Sequence, residues 1–211
     1  MTDKKSLAIS KTINNEQTHF GNKVLFIDNK SKITNVIFSP ANQKHYMMVS
    51  WFEKSTQYNY LYLNPNKCNY ADIVTLTKII LLFNSEKYNM IGFSFGAFAA
   101  IIYTSILPTS TLIIVDPCNV SEEFNNYNLE YFILKINANV FYLRSLNNED
   151  VNTFKIISNA LEKTNILYSI QCTLSDIHCG YIHSEDMILS YIKFSEIISQ
   201  NSNKLITTNY L

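Results

Sequence analysis

The stretch "YNMIGFSFGAFAA", residues 88–100, constrains this chain more than any other. An apolar run stops at Gly92, passes through Ser94 and reaches Gly96, then continues in small and apolar residues with helical spacing. The sequence has 211 residues and only 4 glycines, and two of them flank this serine. A chain so poor in glycine uses it where a Cβ has no room or where the backbone must bend unusually. The pattern predicts a buried strand, a sharp turn at Ser94 and a helix that starts at once.

Similar alternation runs along the rest of the chain. "KVLFIDN" (23–29), "ITNVIFS" (33–39), "YNYLYLN" (58–64), "TLIIVD" (111–116), "NVFYLRS" (139–145) and "NILYSIQCTL" (165–174) read as strands. "KHYMMVSWFEK" (44–54), "ADIVTLTKIILLF" (71–83), "AFAAIIYTSIL" (97–107), "SEEFNNYNLEYFILK" (121–135), "VNTFKIISNALEK" (151–163) and "SEDMILSYIKFSEIIS" (184–199) read as helices. Ser121 and Ser184 are the expected N-caps of the helices they open. Short apolar strands alternating with helices predict an α/β fold: a mainly parallel central sheet with helices on both faces. The expected organisation is one domain over 21–199, a loose polar segment at 1–20 and a tail at 200–211.

Composition narrows the function. Lysine plus arginine and aspartate plus glutamate stand at 17 each, which favours neither a nucleic-acid partner nor an anionic membrane. No apolar stretch is long enough to span a bilayer, and the N-terminus lacks the apolar core of a secretory signal. The four cysteines, Cys68, Cys118, Cys172 and Cys179, are then reduced thiols of a cytoplasmic protein. The first strands do not lead into a G-x-G-x-x-G, and there is no Walker A lysine motif, so no dinucleotide or nucleotide cofactor is expected. Cys172, His178, Cys179 and His183 lie close in sequence, but their spacing lacks the paired hooks of a closed zinc site, and no metal is expected.

Gly92-x-Ser94-x-Gly96 between a strand and a helix is the nucleophile elbow pattern. Through it the chain resembles the α/β-hydrolases, over residues 24–199. The resemblance implies a compact fold with a small lid at 118–138, and a Ser–acid–His triad in that chain order. It implies Ser94 as nucleophile and a base in the loop between the last strand and the last helix. His178 fits that place best, and His183 is the alternative. The acid expected from the family pattern follows the strand two after the nucleophile strand, which points to Asp150. Asp116, one strand earlier, is the alternative, and Glu149 is a third option. Asp150 also suits the N-cap of the helix that follows it. The oxyanion hole implied by the resemblance combines the N–H of Phe95 with one from the loop after 33–39. Where many family members have His-Gly, this chain has Ser39-Pro40, and proline has no N–H, so the second donor is Ala41 or Asn42.

The implied activity is ester hydrolysis through an acyl-enzyme, on a small-molecule or carrier-bound acyl substrate. Thioesterase or acyltransferase chemistry would use the same triad, and a non-catalytic binding module on the same fold is the third reading. In the lid, Cys118, Phe124, Tyr127, Tyr131 and Phe132 are candidates for a pocket wall, against which stands ordinary packing of aromatic residues into the core.

Overall fold

A computed structural model describes residues 16–41, 46, 55–118, 124, 127–145, 151–172 and 185–201. These hold the strands β1 (Glu16–His19), β2 (Asn22–Ile27), β3 (Ile33–Phe38), β4 (Asn59–Leu63), β5 (Lys87–Phe93), β6 (Thr109–Val115), β7 (Asn139–Arg144) and β8 (Tyr168–Cys172). They also hold the helices α1 (Ile73–Leu82), α2 (Phe95–Thr104), α3 (Leu129–Ile133), α4 (Val151–Glu162) and α5 (Glu185–Asn201). All eight strands form one sheet in the order β1-β2-β4-β3-β5-β6-β7-β8. β2 runs antiparallel to both its neighbours, while β4, β3 and β5 to β8 are parallel.

The central strands are apolar on both faces because both faces are covered. Val36, Phe38, Met90, Leu112, Ile114 and Val140 point into a core with Leu76 and Ile79 of α1, the inner side of α2, and Ile157 and Leu161 of α4. Their alternates, Ile37, Ile91, Phe93, Ile113, Val115 and Leu143, face the opposite way and meet Ile188, Leu189 and Ile192 of α5. The period of two along each strand thus feeds two separate cores.

Two expectations are corrected. Residues 16–19 belong to the sheet, although the polar segment was expected to reach residue 20. "EQTH" contains no apolar residue, so burial does not announce it. Its pairing is set by a two-residue hairpin in which Phe20 (φ 51°) and Gly21 (φ 77°) both take positive φ and join His19 to Asn22. The helix expected over 121–135 is short: Tyr127 and Asn128 are not helical, and α3 starts only after Asn128, whose side chain accepts the Tyr131 N–H at 3.1 Å. The expected helix at 44–54 lies outside the described residues, apart from Tyr46. So do Ser121 and Ser184.

No helix among the described residues is long and apolar enough to cross a membrane.

Candidate active site

β5 ends at Phe93 and α2 begins at Phe95, which leaves Ser94 alone at the junction. Its backbone has φ 52° and ψ −121°, a conformation that non-glycine residues seldom adopt and that costs energy unless its surroundings hold it. The Ser94 N–H donates to the Val115 carbonyl at 2.9 Å, and its own carbonyl accepts the Ala97 N–H at 3.0 Å. One bond ties the turn to the neighbouring strand and the other to the helix.

Both flanking glycines are required by close approach. A Cβ on Gly92 would lie 2.5 Å from the Gly96 carbonyl oxygen, 2.6 Å from Ala97 Cα and 2.7 Å from Ala100 Cβ. A Cβ on Gly96 would overlap the Phe38 carbonyl oxygen and lie 2.7 Å from the Ser39 oxygen. These neighbours are mostly backbone and cannot rotate aside. Gly92→Ala and Gly96→Ala are each expected to lose about 3 kcal/mol of stability, the upper end of ordinary overpacking, and a valine more. Urea denaturation of the two alanine variants checks this, and a parent-like midpoint in both would remove the close-packed turn.

The turn aims the start of α2 at the space beside Ser94. Phe95 is the first helical residue, so its N–H has no acceptor within the helix. The loop after β3 forms the facing wall. There the Ser39 N–H is spent on the Leu63 carbonyl at 3.1 Å, and Pro40 has none. Ala41, half-buried against the core, supplies the next N–H along this loop.

A residue outside the expected site supports both walls. Tyr70 is fully buried, and its hydroxyl approaches the Leu63 carbonyl at 2.8 Å and the Ser39 carbonyl at 3.3 Å. Its ring packs against Phe38 and stacks on Phe95, with centroids 5.4 and 5.9 Å away. Burial holds its hydroxyl protonated, well above the usual tyrosine range, so it remains a donor. Nothing in "NKCNYAD" marks this tyrosine, because its partners lie on β3, β4 and α2.

Asp116 stands beside the elbow. Phe93 pairs with Val115, which places Ser94 and Asp116 at adjacent strand ends. Asp116 is fully buried with φ 42°, and its Oδ1 accepts the Ser145 N–H at 2.6 Å. Glu149, Asp150, His178 and His183 lie outside the described residues, as do Asn42 and Cys179. The elements around them are described. Residues 146–150 join the end of β7 to α4, and 173–184 join the end of β8 to α5. β5 to β8 are parallel, so β7 and β8 end on the same side of the sheet as β5, where Ser94 stands.

In the lid region, Phe124 is buried against Phe95 and Phe98, with centroids 5.0 and 6.0 Å away. The Tyr127 hydroxyl donates to the Ala71 carbonyl at 2.9 Å, whereas Tyr131 is half exposed. Phe124 therefore serves the core. Among the described residues, no three histidines, cysteines or acids gather as metal ligands, and Cys172 is exposed at the end of β8.

No protein-family model matches the sequence, and no curated protein matches it. Solved structures do. The Pyrococcus furiosus esterase Pf2001 superposes with a TM-score of 0.64 at 18% identity, over 84% of this chain and 88% of that one. The capsule O-acetyltransferase of Neisseria meningitidis serogroup A gives 0.67 at 15%, over 84% and 93%. Est1E from Butyrivibrio proteoclasticus gives 0.65 at 10%, over 86% and 98%. At such identities the likeness speaks for the fold alone, and together with the strained serine between β5 and α2 it gives this chain the α/β-hydrolase fold.

Proposed function

We propose that this protein is a serine hydrolase that cleaves a carboxylic ester through an acyl-enzyme. The observation that carries the reading is Ser94, held in a strained backbone between two glycines whose Cβ positions are already occupied. Strain of this kind persists where the surroundings enforce it, and it serves to present one side chain.

In the proposed reaction His178 takes the Ser94 proton as Oγ attacks the ester carbonyl carbon. The carbonyl oxygen gains the negative charge and is held by the Phe95 and Ala41 N–H groups. Collapse of this intermediate breaks the bond to the alcohol, which leaves with the proton from His178, and the acyl group stays on Ser94. Water, deprotonated by the same histidine, then releases the acid. Asp150 holds the imidazole in the required tautomer and stabilises its cation. His183 and Asp116 are the alternatives for base and acid.

A second reading replaces water by an acceptor hydroxyl or begins from an acyl thioester. The capsule O-acetyltransferase among the structural neighbours favours keeping acyl transfer in view. The substrate is a small molecule or a carrier-bound acyl group, with no cofactor and no metal. The proposed setting is a reducing cytoplasm, in keeping with only four cysteines in 211 residues.

A fluorophosphonate probe tests the reading. The expected result is stoichiometric covalent labelling, with turnover of p-nitrophenyl esters. Parallel assays on acyl-CoA substrates, with and without sugar acceptors, separate hydrolysis from thioester cleavage and transfer. An unlabelled protein inert on every substrate would leave the fold as a binding module.

A further inference from the structure

Arg144 is the single arginine of this chain, beside sixteen lysines. It is the last residue of β7, and the ladder brings it level with the nucleophile turn. Phe93 pairs with Val115 and Val115 with Leu143, so Ser94, Asp116 and Arg144 follow in one row across the ends of β5, β6 and β7. Two strand spacings separate the Ser94 and Arg144 backbones, about 10 Å. Tyr142 and Arg144, two residues apart, leave the same face of the sheet, and both meet Phe154 of α4. The Tyr142 ring lies 5.8 Å from the Phe154 ring between centroids, and the Arg144 guanidinium carbon lies over that ring at 4.3 Å. The same face carries α2, whose first residue follows Ser94.

Arg144 is half-buried, and its Nε is buried with no hydrogen-bond acceptor. Among the described residues, no carboxylate forms an ion pair with it. A buried charged donor without an acceptor lowers stability, and the ring of Phe154 does not meet that need. An arginine lying over a ring keeps its N–H groups in its own plane, where they match the two oxygens of a carboxylate or a phosphate. Lysine, the basic residue this chain uses everywhere else, offers no such fork. We propose that Arg144 is an anion-recognition residue, which holds a carboxylate or phosphate group of the substrate while Ser94 attacks the ester. The substrate is then an anionic ester, with its charge a few bonds from the reacting carbonyl. The catalytic meaning of this site rests on Ser94 as nucleophile, whereas anion binding itself does not.

Turnover tests the substrate class. Three chromogenic esters are compared: neutral p-nitrophenyl hexanoate, mono-p-nitrophenyl adipate with the charge on the acyl side, and a carboxylated nitrophenyl hexanoate with the charge on the leaving group. The parent is expected to favour a charged ester over the neutral one in kcat/KM, and the favoured ester shows on which side the anion lies. In Arg144→Gln this preference should fall about 10- to 100-fold, mainly through KM, the scale of a hydrogen bond to a charged group. Arg144→Lys should retain part of it, because the charge stays and the fork is lost. An equal loss on all three esters would make Arg144 a structural partner of Phe154 and overturn the proposal. So would a parent indifferent to substrate charge, which needs no variant to fold. Binding is read separately by nuclear magnetic resonance, since one arginine gives one Nε–H signal. Adipate or inorganic phosphate should shift that signal saturably, and sodium chloride at equal ionic strength should not. A signal unmoved by both anions would also overturn the site. If the parent turns over no ester and takes no fluorophosphonate, the hydrolase reading falls, while the Nε–H titration still decides whether Arg144 binds anions.

Discussion

Ser94→Ala is expected to lose all fluorophosphonate labelling and at least about 10⁴ of its turnover, the scale on which triad members act elsewhere. The loss should fall on kcat, because the hydroxyl forms the bond that defines the reaction, whereas the binding surfaces are untouched. Stability should change little. The strain belongs to the backbone and is enforced by Gly92, Gly96 and the Val115 carbonyl, all of which remain in the variant. Alanine is less tolerant of positive φ than glycine but meets the same limits as serine. A Ser94→Ala protein that folds normally and keeps full esterase activity would end the serine-hydrolase reading. One that unfolds would instead show the serine hydroxyl to be structural.

The second large effect is expected at the base. His178→Ala should lose nearly all turnover, while His183→Ala keeps most of it. The base must be neutral to accept the serine proton. Histidine side chains titrate from about 6.5 in water, so kcat/KM should fall as pH drops through that range and hold on its alkaline side. Removing the base should abolish this acid limb in whatever residual activity remains, which plain destabilisation would not do. Asp150→Asn should lower the rate with the fold intact, since the amide neither selects the tautomer nor supports the imidazolium. If His183→Ala is the inactive variant, the base is His183, and the loop assignment moves by five residues while the mechanism stands. If neither variant loses activity, no histidine of that loop is the base.

The elbow was legible because its causes are local. β5, Ser94 and α2 follow from an apolar run, two glycines and helical spacing within thirteen residues. The parallel strands β5 to β7 were readable for the same reason, since burial on both faces leaves continuous apolar runs. β1 was not readable. "EQTH" carries no periodic apolar signal, and its strand character comes from pairing with β2 through a turn without an Asn-Gly or Asp-Gly mark. The start of α3 was also misplaced: Ser121 was the expected cap, and Asn128 is the residue that caps Leu129–Ile133.

The sequence by itself determined the alternation of strand and helix, the position of the turn and the serine it presents. Each depends on neighbours within a few residues, and local sterics and periodicity act over that range. The tertiary structure decided what those elements meet. It set β4 outside β3 in the sheet, and placed Tyr70 beneath the walls on either side of Ser94. It also brought the Asp116 carboxylate to the Ser145 amide, twenty-nine residues away. Such contacts depend on strand order, and strand order is chosen by the burial of both sheet faces at once, a quantity no short stretch of sequence contains.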